Sequence, residues 1–295
     1  MPIKMSTYLP SYLMNNILVR SLSGAVYVAL IVCSLIFGDS WAFPLLCSLF
    51  SLLGVAELEK IDATNSHSQI TLRFIDMAAA FILVFFPAFS ISKDTEIFFI
   101  FGISALILLF LVRLISQLYI TDENAISSLS SGCLSIIYIA VPLSLISVLS
   151  VMPGGAQIVL AMFIMIWIND TGAFLVGSSF GKHRLFERIS PKKSWEGFWG
   201  GFTFSIAAGV MIHYCFGDWS PNLNLVNMCV LGALISVFAT FGDLVESLIK
   251  RTVKVKDSGH IMPGHGGILD RIDSLLVVSP ALVLFIIIES LLRYI

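Results

Sequence analysis

The sequence predicts an all-α polytopic membrane protein with about nine transmembrane helices, its N-terminus cytoplasmic and its C-terminus outside. Three observations predict it. Apolar residues make up 57% of the 295 and charged ones 12%, against roughly 25% charged in ordinary soluble domains. The apolar residues fall in windows near the ~20 residues a helix needs to cross hydrocarbon. The basic residues fall almost wholly on one side of the resulting zigzag. A soluble fold of this length could not cover so much apolar surface with polar groups. In a bilayer no cover is needed, provided each backbone N–H and C=O is bonded within its own segment.

Residues 1–20 read as an interfacial segment leading into the first span, and no removable signal peptide is expected. Spans follow near 22–38, 41–57, 74–92 and 97–118. The next, 126–152, is long enough to tilt or to begin before the bilayer. The remaining spans lie near 157–180, 197–216, 225–249 and 274–292. Turns at Gly38-Asp39-Ser40, Pro153-Gly154-Gly155 and Gly217-Asp218 separate several of them. With no repeat and no linker, residues 1–295 read as one membrane domain: a helical scaffold over 1–155, then catalytic helices and loops over 156–295. The scaffold helices serve as support or as a homodimer contact, and the sequence leaves both open. Five cysteines lie singly in apolar runs, with no zinc or disulfide spacing. No nucleic-acid partner is expected.

With the N-terminus inside, all the 17 Lys and Arg except Lys93 and Arg293 fall on the cytoplasmic side. That set includes Arg113, between the fourth and fifth spans, and two dense loops at 181–196 and 250–273. Positive loops stay inside for topological reasons alone. The acidic residues beside these two loops give them a further meaning.

Carboxylates within spans are costly and mark function. In the eighth span, spacings of three, four and seven put Asp243, Glu246, Ser247 and Lys250 on one helical face. The ninth opens on Asp270-Arg271-Ile272-Asp273, its two carboxylates one turn apart. Brought together, such carboxylates repel unless a cation lies between them. Hard oxygen ligands beside basic residues suit Mg2+ carrying a polyphosphate. Between the two groups run Lys254, Lys256 and the glycines Gly264, Gly266 and Gly267, which let backbone donors approach an anion. The other loop holds Ser190-Pro191-Lys192-Lys193-Ser194-Trp195-Glu196. There Ser190-Pro191 reads as a turn and Ser194 or a neighbour as the cap of the seventh span. The lysines read either as solvated charges or as phosphate contacts. Asn169-Asp170, inside the sixth span, demands polar partners, whether from a site or from a buried network.

Ser247 through Asp273, with its S-x-x-K-R, K-D, H-G-G and D-R-x-D elements, resembles the C-terminal motif of the phosphatidate cytidylyltransferase (CDP-diacylglycerol synthase) family. Asn169-Asp170, the 190–197 stretch and Glu57 at the end of the second span also resemble family segments. Met262 departs from the pattern's usual Leu, Ile or Phe by a near volume-conserving change. The resemblance covers roughly 160–275.

It implies transfer of a cytidylyl group from CTP to phosphatidate in a membrane, with release of pyrophosphate, for phospholipid synthesis. It further implies Mg2+ held by Asp243, Glu246, Asp270 and Asp273, a second cation being left open. Lys250, Arg251, Lys256 and Arg271 would hold phosphates. Asn169, Asp170, Ser190, Lys192, Lys193, Ser194 and Glu196 would line the substrate site. His265-Gly266-Gly267 would support the phosphate pocket, His265 either by a structural hydrogen bond or as proton donor to pyrophosphate. The expected setting is a bacterial inner membrane with the site on its cytoplasmic face. The bare residue pattern also admits a CTP-dependent polyprenol kinase or a transporter. The complete H-G-G-x-x-D-R-x-D run favours the cytidylyltransferase, and charges crowding one surface disfavour transport.

Overall fold

The structure, a computed structural model, describes residues 11–62, 67–120, 124–217, 224–259, 261–262 and 266–292. The predicted spans appear in order, each within a few residues of its expected core. They are α1 (Ser11–Ile36), α2 (Ala42–Asp62), α3 (His67–Ser92) and α4 (Glu96–Gln117). The fifth is a composite of α5 (Ala125–Ser135) and α6 (Val141–Val151). Then come α7 (Gly155–Phe180), α8 (Trp195–Cys215), α9 (Leu225–Thr252) and α10 (Leu269–Leu292). Among the described residues, eight segments are long and apolar enough to cross a membrane, α5 and α6 counting as one. The exception is α8, the predicted seventh span. Its 21 residues include Glu196, His213 and several glycines, which lower its apolarity without shortening it.

The long fifth window is one helix path with a local change of winding. Pro142 has no N–H to give the carbonyl of Tyr138, and the ladder widens to a π-turn over Ile136–Ala140, where Val141 N–H reaches back to the Ile136 carbonyl. Residues 184–194, read as a turn and a loop, instead form a hairpin. Strand β1 (Arg184–Phe186) pairs antiparallel with β2 (Ser190–Ser194) across an irregularity in register. Pro191 sits in β2 because a two-stranded ribbon is all edge and one missing donor is tolerated there.

The last four helices run antiparallel in sequence. Ser205 donates to the Gly232 carbonyl at 2.8 Å, joining α8 to α9. Ser274 donates to Ala239 at 3.2 Å, joining α9 to α10. Consequently the C-terminal ends of α7 and α9 and the N-terminal ends of α8 and α10 gather at one end of the molecule. Lipid offers helices no hydrophobic reason to associate, so close backbone packing does that work. Gly242 is the decisive case: a Cβ there would stand 2.6 Å from the Asp273 carbonyl oxygen and 2.8 Å from Ser274 Cα. Glycine lets α9 and α10 touch backbone to backbone, and the next residue is Asp243. The core behind this junction is drawn from both halves of the chain, including Ile31, Ile139, Ile146, Met162, Ile235 and Ile272, all fully buried.

The N-terminal helices are tied by polar contacts that the charge pattern did not foretell. Arg113, counted with the loop charges, is a buried α4 residue at 5% exposure. Its Nε donates to both oxygens of Asp76 on α3, at 2.9 and 3.2 Å. Its terminal nitrogens reach Gln117 Oε1 at 2.9 Å and the carbonyl and hydroxyl of Ser128 at 3.1 Å. Ser135 donates to Glu59 Oε1 at 2.9 Å, joining α5 to α2.

Candidate active site

The gathered helix ends bring most of the predicted residues together. On α9, Ser247 donates to Asp243 Oδ1 at 3.3 Å, and Lys250 contacts Glu246 Oε2 at 2.6 Å, so the expected common face exists. Across the Gly242 contact, Asp273 joins Asp243 and Glu246, one carboxylate oxygen of each lying within 4.8 Å of the others. Glu246 is almost fully buried, and its Oε1 has no hydrogen-bond partner among the described residues. A buried carboxylate oxygen without a donor, in a cluster of like charge, is unfavourable unless a cation completes it. Three hard oxygen ligands at this spacing fit a divalent ion of the Mg2+ class.

Asp270 stands apart from these three. Its Oδ1 meets Lys250 Nζ at 2.6 Å. Its Oδ2 accepts from Gly267 N–H at 2.8 Å, Ser258 Oγ at 2.9 Å and Ser258 N–H at 3.1 Å. Both oxygens are thus engaged in shaping the loop between α9 and α10. Lys250 bridges the two acidic groups. Gly266 adopts φ +83°, a conformation glycine takes at no steric cost, and a Cβ there would strike Asp270 Oδ2. Met262, the departure from the motif, donates its N–H to the Gly266 carbonyl at 3.0 Å and packs on the core. His265 lies outside the described residues.

Beneath this loop is Glu57 of α2, the most telling contact that spacing alone did not supply. At 5% exposure, it accepts from Ile268 N–H at 3.0 Å, Leu269 N–H at 2.9 Å and Ser258 Oγ at 3.2 Å. A carboxylate on the first free N–H groups of a helix is a cap in a favourable field, here supplied from 211 residues away. Gly267 has no room for a Cβ because Glu57 and Ser258 occupy that space. Tyr138, on the π-turn, is a second unforeseen neighbour. Its buried hydroxyl has no partner among the described residues and lies within electrostatic reach of Asp273, Glu246 and Asp243.

On the other side, Lys193 of β2 meets Asp243 Oδ2 at 2.6 Å. Ser194 accepts from Gly197 N–H at 3.1 Å, capping α8 as expected. Glu196, ahead of the apolar stretch that begins at Gly197, closes the loop on itself. It contacts the His183 ring at 2.6 Å and accepts from the N–H groups of Lys182 and His183. The His183 hydrogen bond and these backbone donors hold its carboxyl down at about 2. Asn169 accepts from Ser236 at 2.7 Å and donates to Asp170 at 3.3 Å, so the Asn-Asp pair is both a link between α7 and α9 and part of the site. Ser190 is half-buried in β2, and Arg251 and Lys256 are exposed at the surface beside the loop.

Two cavities open here. The larger, about 620 Å³, lies between α7, the hairpin, α8 and α9, and is lined by Arg184, Lys192, Lys193, Asp170 and Asp243 among others. The smaller, about 280 Å³, lies between α1, α7 and α10, with Asp170, Asp270, Arg271 and Asp273 in its wall.

The profile of the cytidylyltransferase family matches residues 18–289, nearly the whole chain. The chain belongs to that family. Within the cytidylyltransferase family, it is 44% identical to a phosphatidate cytidylyltransferase of Staphylococcus haemolyticus over 133 residues, 45% of this chain and 50% of the relative. It is 45% identical over the same shares to the protein of that name from Staphylococcus aureus. The Staphylococcus epidermidis protein of that name is 44% identical. The chain spans about half the length of the curated relatives it matches. The resemblance read from the motifs is borne out at the level of family.

Proposed function

We propose that this protein transfers the cytidylyl group of CTP to phosphatidate, producing CDP-diacylglycerol and pyrophosphate. The observation that carries the reading is the buried cluster of Asp243, Glu246 and Asp273, flanked by Lys193 and Lys250 in a chain of the cytidylyltransferase family. The names of the staphylococcal relatives support the choice of substrates. In the reaction, a lipid phosphate oxygen forms a bond to the α-phosphorus of CTP. The bond from that phosphorus to the bridging oxygen breaks, and pyrophosphate leaves with the electron pair. The nucleophile is already an anion, so no strong base is required. The difficulty is bringing two anions together.

The residues answer that difficulty by charge and position. Asp243, Glu246 and Asp273 would hold Mg2+, which when bound offsets phosphate charge and polarises the reacting phosphoryl group. Lys192, Lys193 and Arg184, projecting from the hairpin, bind and orient the triphosphate. Lys250, fixed between Glu246 and Asp270, supplies cationic charge at the centre, and Arg271 does so at the neck of α10. Asp270 with Gly267 and Ser258 holds the loop that presents the α10 N-terminus. The concentration of Lys and Arg around these ends supports a cytoplasmic site with the N-terminus inside, and the bacterial relatives support an inner membrane. Soluble CTP and membrane-held phosphatidate then meet at one interface.

The test is incubation of purified protein in detergent with phosphatidate, MgCl2 and CTP labelled at the α-phosphorus. Label appearing in chloroform-soluble lipid is the expected result. Label remaining on CDP, with the γ-phosphoryl on lipid, would convert the reading to a kinase. No transfer of either kind would end it.

A further inference from the structure

The two cavities share one wall, and its composition differs by side. Asp170 lines both. Asp243 faces the larger and Asp273 the smaller, yet these two carboxylates belong to the same cluster, within 4.8 Å. The acidic centre is therefore a partition rather than the floor of a single pocket. The larger cavity, about 620 Å³, falls within the ~300–1,000 Å³ of sites that enclose a ligand of drug size, and its basic residues project from a hairpin outside the apolar helices. The smaller, about 280 Å³, cannot enclose a nucleotide. One end is apolar, with Val28, Phe163, Ile166 and Leu275, and the other carries Arg271 between Asp270 and Asp273.

That smaller cavity also has a distinctive outer wall. Only 11% of the apolar stretch of α1 is buried, and Leu22, Val26 and Leu30 face outward. A single thinly packed helix thus separates the cavity from lipid. Its one deep polar anchor is Tyr27, buried at 8% exposure, whose hydroxyl donates to the Arg271 carbonyl at 3.1 Å. An amphiphile whose phosphate is joined to apolar chains has the same division of polarity as this space.

We infer that the cavity between α1, α7 and α10 is the subsite for the phosphomonoester head of the lipid substrate, and the hairpin cavity that for the nucleotide triphosphate. Their phosphates meet across the wall of Asp170, Asp243 and Asp273. Displacement at phosphorus with attacking and leaving oxygens in line needs the two substrates to approach from different sides, and a shared partition provides that. The inference rests on the cytidylyl-transfer reading and adds to it a place for each substrate.

The experiment narrows each cavity separately. Gly24→Leu places a side chain in the smaller one, where Gly24 forms part of the α1 wall. It is expected to raise KM for dioleoyl phosphatidate tenfold or more and to leave KM for CTP within twofold. Arg184→Ala in the larger cavity is expected to do the reverse. Val28→Phe, on the same helix, replaces Gly24→Leu if that variant aggregates. A phosphatidate bearing a diazirine near the head of its acyl chain should photolabel peptides of α1 or α7 in wild type, and lose that labelling in Gly24→Leu. A shift in KM for CTP with Gly24→Leu, or unchanged KM for both substrates with unchanged labelling, would overturn the assignment. Failure of wild type to label lipid from α-labelled CTP would instead sink the reaction, while photolabelling would still report who occupies the cavity.

Discussion

Glu57 and Asp273 bear on the same centre by different physics. Asp243→Asn or Asp273→Asn takes one ligand charge from a cluster whose members share one space. Each is expected to lower kcat about a hundredfold or more, the scale of losing one preorganised electrostatic contact, with insertion and yield unchanged. An α-labelled CTP assay on purified variants measures it, and near-normal rates would refute the cluster's role. Lys193→Ala is expected to act more mildly, chiefly on KM for CTP. Glu57→Ala, by contrast, removes the cap of α10, a loss of about 1–2 kcal/mol, and lets the loop before Asp270 loosen. Glu57→Gln retains an acceptor and should recover most activity. Asp243, Glu246 and Lys250 were legible in the sequence because helical spacing relates them directly. The position of Asp270 was not, since four carboxylates in two short motifs look alike until the loop takes both oxygens of one. Glu57 was legible only as a family likeness; no local pattern connects it with a helix start 211 residues away.

At the scale of elements, apolar length located every span because hydrocarbon imposes one requirement on all of them. Where other forces decide, that signal is silent. The hairpin escaped notice because β1 has 3 residues and β2 has 5 with Pro191 within it, too short for alternation to register. Arg113 was read as a loop charge because nothing in α4 itself announces Asp76 on the neighbouring helix. That pair supplies an element-level prediction. Arg113→Met leaves Asp76 buried without its counter-charge, a change expected to cost about 3–5 kcal/mol and to lower the melting temperature in detergent by several degrees or more. The double variant Arg113→Met/Asp76→Leu removes both charges and should recover a large part of the loss. A double variant no better than the single would mean that the pair does not secure α3 to α4.

For the molecule as a whole, the site joins parts that sequence reading divided at residue 155. Tyr27, Glu57 and Tyr138 come from the first half and surround carboxylates carried by the second. Occupation of the acidic cluster should therefore stabilise the entire helix assembly rather than one loop. A ligand that binds only the folded state adds RT ln(1 + [L]/Kd), about 2.7 kcal/mol at a hundred times Kd. Wild-type protein stripped with EDTA should accordingly melt at a lower temperature than protein in excess MgCl2. Glu246→Gln tests the sign of the underlying electrostatics. Without Mg2+, it removes a buried charge whose Oε1 has no donor and whose neighbours are also carboxylates, so its melting temperature should rise above that of stripped wild type. With Mg2+, it lacks one ligand charge and should gain little. The curves for the two proteins are thus expected to cross as MgCl2 is added, measured by tryptophan fluorescence in one detergent. Parallel curves, with the same Mg2+ increment in both, would show that Glu246 does not contribute to a cation site and that its burial needs another explanation.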